Sequence, residues 1–411
     1  MATPNTRDGE LDPLSNAKQT DDHVSIVVRA EADAESAAST VVGRDTGIES
    51  DGATFSVGRH RARDGTAGGP VRLDADRPHA VVVVGKRGTG KSHTLGVLAE
   101  GLAAAPGVTP VVLDTMGEFG GLARTESAPV PAGVVVSPPH VPAAAVPSRA
   151  WPALVGLDPT GTAGGLVWEA VAEAGTLSGA LEHVTGEADD RDETDTVASS
   201  VRRVAHNHLR RAARWDVFDP DGLRPTALLG DGAPTVLDCS ALSERATNAV
   251  CRVVARGCYE QCLVDGVDRL PWLLVDEAHV RFDGVAGPAL DRLFTRGRAP
   301  GVSVVCATQR PAALPETAVS QADLLFAHAL TSAADVEALA AARPTYLDGE
   351  FERRLPRERG VALVVDDTDE TVHTVRVRDR QTPDGGSSPR AREFAAGSTV
   401  ADAHADVETD E

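Results

Sequence analysis

The run Gly85-Lys86-Arg87-Gly88-Thr89-Gly90-Lys91-Ser92 has the residue types and spacing to hold phosphates. Glycines let backbone N–H groups converge on an anion, and the helix expected from Ser92 to Leu102 adds the partial positive charge of its N-terminus. Lys91 would reach the β- and γ-phosphates of ATP, and the Ser92 hydroxyl would bind Mg2+. Farther along, Leu273-Leu274-Val275-Asp276-Glu277 is an apolar run ending in paired carboxylates. After a phosphate loop, the first acid holds Mg2+ through water and the second polarises the attacking water. A third run, Val302 to Thr308, ends in the amide of Gln309. By position alone, Gln309 suits sensing of the γ-phosphate as well as capping of a turn before Pro311.

These groups need a frame that brings strand ends together. Val81-Val82-Val83-Val84 is a short continuous apolar run, as expected of a parallel strand buried on both faces. Similar runs recur at Val111–Asp114, Thr235–Cys239, Trp272–Asp276, Val302–Thr308, Leu324–Leu330 and Val361–Val365, and helical stretches separate several of them. That alternation predicts an α/β fold with a mostly parallel sheet.

Residues 1–54 read as an acidic, largely disordered region with one strand-like run, His23–Val28, and residues 55–79 as a small β element. The ATPase domain is expected over 80–380. It carries a helical insertion at about 125–225, where a Pro/Ala-rich stretch leads through the acidic run Glu187–Glu193 to a basic helix. Residues 381–411 read as a disordered tail.

The composition narrows the setting. The chain has 411 residues, is 42% hydrophobic but only 3% aromatic, and has a formal net charge of −21. Its core must therefore be aliphatic. Lysine occurs only at Lys18, Lys86 and Lys91, and every other fixed basic residue is arginine. An acidic, lysine-poor, alanine-rich chain is expected of a salt-in halophilic cytoplasm; the alternative, a genome bias toward G and C, also favours arginine and alanine but does not by itself supply the excess of Asp and Glu. Acidity keeps a protein soluble without naming its partner. No run of about 18 apolar residues is present to span a membrane, and the polar start lacks the apolar centre of a secretory signal. A cytoplasmic location with no membrane contact is expected. The five cysteines do not suggest a disulfide framework. Cys251, Cys258 and Cys262 suit packing on one helix better than metal binding.

Taken in order, these motifs resemble the HerA/FtsK superfamily of ring-forming DNA pumps, and HerA-type ATPases most closely. The resemblance rests on Gly85–Ser92, Val112–Phe119, Leu274–His279, Gly297–Val302, Ala307–Pro311, Ser320-Gln321 and Asp335–Leu339. It implies a RecA-like domain that binds ATP and Mg2+, and a ring, a hexamer, that translocates or unwinds double-stranded DNA, with a partner nuclease in some members. Asp114 and Glu118 would line the nucleotide site, and Gln309 would sense the γ-phosphate. Arg298 would enter a neighbouring subunit's site as an arginine finger, with Arg296 the competing candidate. Two departures stand out. The amino-terminal barrel of the family is represented only by a segment from Ser56 to Asp74, and Thr115-Met116 stand where a Pro-His pair is common. A nucleotide-switched binding protein that moves no DNA is the alternative reading.

Arg202, Arg203, Arg210, Arg211 and Arg214 could track DNA phosphates, but the adjacent Asp189–Asp195 makes ion pairing the favoured reading. His279 is expected to be structural.

Overall fold

A computed structural model describes residues 39–44, 52–123, 130–186, 197–229, 232–264, 267–342, 351–383 and 385. The run His23–Val28 lies outside them, as does the acidic segment 187–196, so the expected pairing of the insertion arginines with Asp189–Asp195 does too.

The strands are β1 (Thr40–Val42), β2 (Thr54–Arg61), β3 (Ala67–Asp74), β4 (Ala80–Val84), β5 (Val108–Asp114), β6 (Val134–Val136), β7 (Thr235–Asp238), β8 (Leu270–Val275), β9 (Ser303–Thr308), β10 (Leu324–Ala327), β11 (Val361–Asp366) and β12 (Thr371–Val377). Among the described residues they form one sheet in the order β1-β3-β2-β12-β11-β10-β4-β9-β8-β5-β7-β6. From β10 to β6 every neighbouring pair is parallel, and β11, β12, β2 and β3 continue the sheet in antiparallel pairs.

The uninterrupted apolar runs follow from two-sided burial. Val82 and Val84 of β4 enter one core, while Val81 and Val83 enter the other. Leu273 and Val275 of β8 alternate in the same way with Trp272 and Leu274. The second core is covered by α1 (Lys91–Ala104). The first is covered by the insertion helices α2 (Trp151–Val155), α3 (Thr162–Ala174), α4 (Leu177–Thr185) and α5 (Ser199–Ala213). The long α6 (Glu244–Val264), α7 (Ala278–Phe282) and α8 (Gly287–Arg296) lie on that side too. Cys251 and Cys258 are buried and Cys262 half-buried on α6, with burial pushing the thiols up to about 12, 12 and 11. They pack.

Three boundaries move. β1 pairs with β3, so ordered structure reaches into the region 1–54 expected to be largely disordered. The element at 55–79 is no separate unit, because β12 pairs with β2 and joins it to the main sheet. At the other end, the region expected to be a disordered tail from 381 begins as a clamp. Glu100 on α1 is 1% exposed and accepts hydrogen bonds from the Gln381 amide, the Thr382 amide and hydroxyl, and the Arg378 guanidinium. These donors hold its carboxyl below the usual range although burial opposes them. α1, which starts at the phosphate loop, is thereby tied to the last strand.

β2 reaches α1 because Gly101 has no side chain. A Cβ at 101 would lie 2.0 Å from Phe55 Cδ2. Alanine is the better helix former by about 1 kcal/mol, yet the clash outweighs this gain. Gly101→Ala is therefore expected to destabilise the chain by about 1–3 kcal/mol, measured by denaturant unfolding.

Candidate nucleotide site

The phosphate loop leaves the C-terminal end of β4, flanked by the ends of β9 and β10. This is the edge where open parallel sheets bind ligands. Gly88 and Gly90 take φ of +77° and +119°, which side chains with a Cβ rarely adopt. A Cβ at Gly88 would meet nothing within 4 Å, so the loop is open on that side. Lys86 and Arg87 are exposed, Thr89 and Lys91 are buried, and Ser92 is half-buried at the start of α1. The first amides of α1 have no intrahelical acceptor and point toward the loop mouth.

A histidine that the sequence reading did not single out supports this loop. His328, 0% exposed just after β10, donates from Nδ1 to the Val361 carbonyl at 2.9 Å. Its Nε2 then accepts from the Thr94 hydroxyl of α1 at 2.8 Å. Burial lowers its pKa to about 4, so the ring is neutral and its tautomer fixed. Lys86 N–H donates to Ala329 O and Gly360 N–H to Thr89 O, which pins the loop from both sides.

The strand ends bring the expected acids to Lys91. Burial pulls the ammonium's pKa down, while Glu277, Asp276 and Glu118 oppose that shift. Asp276, 2% exposed, is pushed up to about 7 by burial and then by the Glu277 charge. Glu277 sits at φ +47°, ψ +45°, a left-handed conformation for a residue with a Cβ, at the mouth of α7. Such strain concentrates at functional positions. Gln309 Nε2 donates to Glu277 Oε2 at 3.3 Å. His279 Nδ1 lies 3.4 Å from the same oxygen and 3.1 Å from Thr308 Oγ1. Burial lowers the pKa of His279. Its structural role thus has an object, the orientation of Glu277.

Asp114, expected to line the nucleotide site, accepts its hydrogen bonds from the loop that follows it. Its Oδ1 accepts from the amides of Met116, Gly117 and Glu118, and its Oδ2 from Phe119. The carboxylate thereby shapes the loop that carries Glu118, whose charge acts on Lys91. A strand-end aspartate reads as a ligand in sequence because the amides that consume its oxygens are invisible there. Arg298 lies before β9, at the opposite end of that strand from Gln309, and donates to Asp323 at 2.8 Å. Six strand residues span about 20 Å, so Arg298 is out of reach of its own phosphate loop. Arg296, in the last turn of α8, is exposed at the same end.

A nucleotide and Mg2+ fit this donor set. Three carboxylates face one ammonium, and the buried Asp276 is costly to ionise without a cation. Ser92 and Asp276 would hold Mg2+, which would supply charge neutralisation at the β- and γ-phosphates.

Residues 55–158 match the family model described as helicase HerA, central domain. The matched stretch carries the whole phosphate loop together with Asp114 and Glu118, so this part of the chain is similar to the central domain of HerA helicases. No curated protein matches the chain by sequence. Among solved structures, VirB4 of Thermoanaerobacter pseudethanolicus is similar at a TM-score of 0.57 and 18% identity, covering 80% of this chain and 97% of that one. The bacterial conjugative coupling protein TrwBdeltaN70 is similar at a TM-score of 0.54 and 16% identity, covering 76% and 88%. These likenesses show a shared RecA-like fold that extends well beyond the HerA-matched stretch. Among the described residues, no helix is long and apolar enough to cross a membrane.

The raised Asp276 carboxyl sets a pH dependence. Its folded pKa of about 7 lies above the ordinary 3.8, so the folded state holds the proton more tightly. Without Mg2+ or nucleotide, stability is therefore lost at this group as pH rises from about 4 to 7. Asp276→Asn is expected to flatten that dependence and to stabilise the chain above pH 7 by up to about 4 kcal/mol. Thermal or denaturant unfolding across pH measures it.

Proposed function

We propose that the chain is an ATP-driven, HerA-type translocase or helicase of double-stranded DNA that works as a ring of copies, a hexamer. The observation that carries this reading is the division of the catalytic set between two edges of the sheet. Lys91, Asp276, Glu277 and Gln309 gather at one edge, while Arg298 stands at the other. A second copy that places its Arg298 against the first copy's phosphate loop would complete the site. In that arrangement Glu277 would take up the proton of the attacking water. Gln309, bonded to Glu277, would couple the presence of the γ-phosphate to the position of that base. The guanidinium of the Arg298–Asp323 pair is exposed, so a neighbouring copy can reach it.

DNA as the substrate rests on the HerA match and the family resemblance, as does the possible partner nuclease. The acidity and arginine bias support a halophilic setting. Duplex DNA is therefore expected to stimulate ATP hydrolysis in molar KCl, with Glu277→Gln lowering the rate by about 10²–10⁴. Absence of stimulation at every salt concentration would instead favour a nucleotide-switched binding protein.

Sharing of the site has its own test. Arg298→Ala alone is expected to lose about 10³ or more in rate, and Glu277→Gln alone about 10²–10⁴. Mixed in equal amounts, the two should regain part of the activity, because some interfaces then hold an intact Glu277 and an intact Arg298. A mixture no more active than its components would place the finger elsewhere, with Arg296 the next residue to change.

A further inference from the structure

Behind the first core, well apart from the phosphate loop, α6, α8, α3 and the turn Ser148–Ala150 enclose a cavity of about 450 Å3. Four arginines line it: Arg149 from the turn, Arg252 and Arg256 from α6, and Arg292 from α8. In a chain of net charge −21 this concentration of positive charge is unexpected. One acid lines the cavity with them, Glu260, and it is paired with Arg256 at 2.7 Å.

Arg252 is the least satisfied of the four. It is 8% exposed, donates from Nη1 to the Val285 carbonyl, and its buried Nε has no hydrogen-bond partner. Burial and then the charges of Arg256, Arg149 and Arg292 pull its pKa down. A buried guanidinium facing three like charges is costly unless an anion answers it. The rim supplies a second kind of contact. Trp168 on α3 is 51% exposed although it is a large aromatic side chain. Tyr259 already carries the Arg292 guanidinium over its ring at 5.6 Å, leaving Trp168 as the uncovered aromatic surface.

We propose that this cavity is a second nucleotide site, distinct from the hydrolytic one, in which the arginines hold the phosphates and Trp168 stacks on the base. The volume is that of a small-ligand site. Guanidinium forks suit clustered phosphate oxygens, and an indole face suits a base of any identity. A single strand of nucleic acid, with one charge per nucleotide, would answer the converging arginines less well than a di- or triphosphate.

The test uses the full chain with Lys91→Ala, which weakens the hydrolytic site, and follows tryptophan emission in molar KCl while ADP is added. Trp151 and Trp272 are fully buried and shielded, and Trp215 is half-buried and does not line the cavity, so the loss of the change in Trp168→Phe assigns it. The expected result is a saturable change that disappears in Trp168→Phe and shifts to about tenfold higher ADP in Arg149→Ala. Both altered side chains are exposed, so folding is retained. No change in Trp168 emission would overturn the proposal. So would inorganic pyrophosphate binding as tightly as ADP, which would reduce the cavity to an anion site. Tight binding of a short single-stranded oligonucleotide with none of ADP would replace the mononucleotide with nucleic acid and likewise overturn it.

Discussion

Burial of Lys91 against Asp276, Glu277 and Glu118 is the constraint on which the catalytic edge depends. An ammonium and several carboxylates can share a desolvated corner only if each is held from behind. The parallel sheet does this by ending β4, β8 and β9 at one edge. The Glu100 clamp ties α1 to the end of β12, and the neutral His328 ties α1 to the start of β11. The corner nonetheless sets one ammonium against three carboxyl groups. That imbalance makes it receptive to a divalent cation together with a polyphosphate, and unwilling to hold Asp276 ionised alone.

The two edges of the sheet have different duties. At the C-terminal edge, charges are gathered and buried. At the N-terminal edge, Asp323 accepts from both His79 and the exposed Arg298. Burial opposes the low carboxyl pKa of Asp323, but its hydrogen bonds and the neighbouring charges prevail. Arg298 is thus anchored at this edge with its guanidinium exposed.

Much of this was legible in the sequence, and the reasons are physical. Gly85–Ser92 and Asp276-Glu277 are local patterns whose chemistry requires their spacing. Strands β4, β8 and β9 are buried on both faces, so their apolar runs are unbroken. β12 escaped notice because Thr371–Val377 is half-exposed and interleaves Thr, His and Arg with Val. The three-residue β6 has exposed valines and no distinguishing pattern. His328 and the Glu100 clamp are partnerships across 234 and 282 residues, which no local window contains. Asp114 shows the opposite limit. Its chemistry was visible, but the four amides that use it up are set by loop geometry.

The central claim is that the corner is electrostatically incomplete without Mg2+ and a polyphosphate together. It is tested most directly by thermal unfolding above pH 7 with a non-hydrolysable ATP analogue, in the presence and absence of Mg2+. The expected result is a large rise in Tm only with both, and a rise in Asp276→Asn that no longer depends on Mg2+. Equal stabilisation of the unaltered chain by the analogue with Mg2+ and with a chelator would contradict the account.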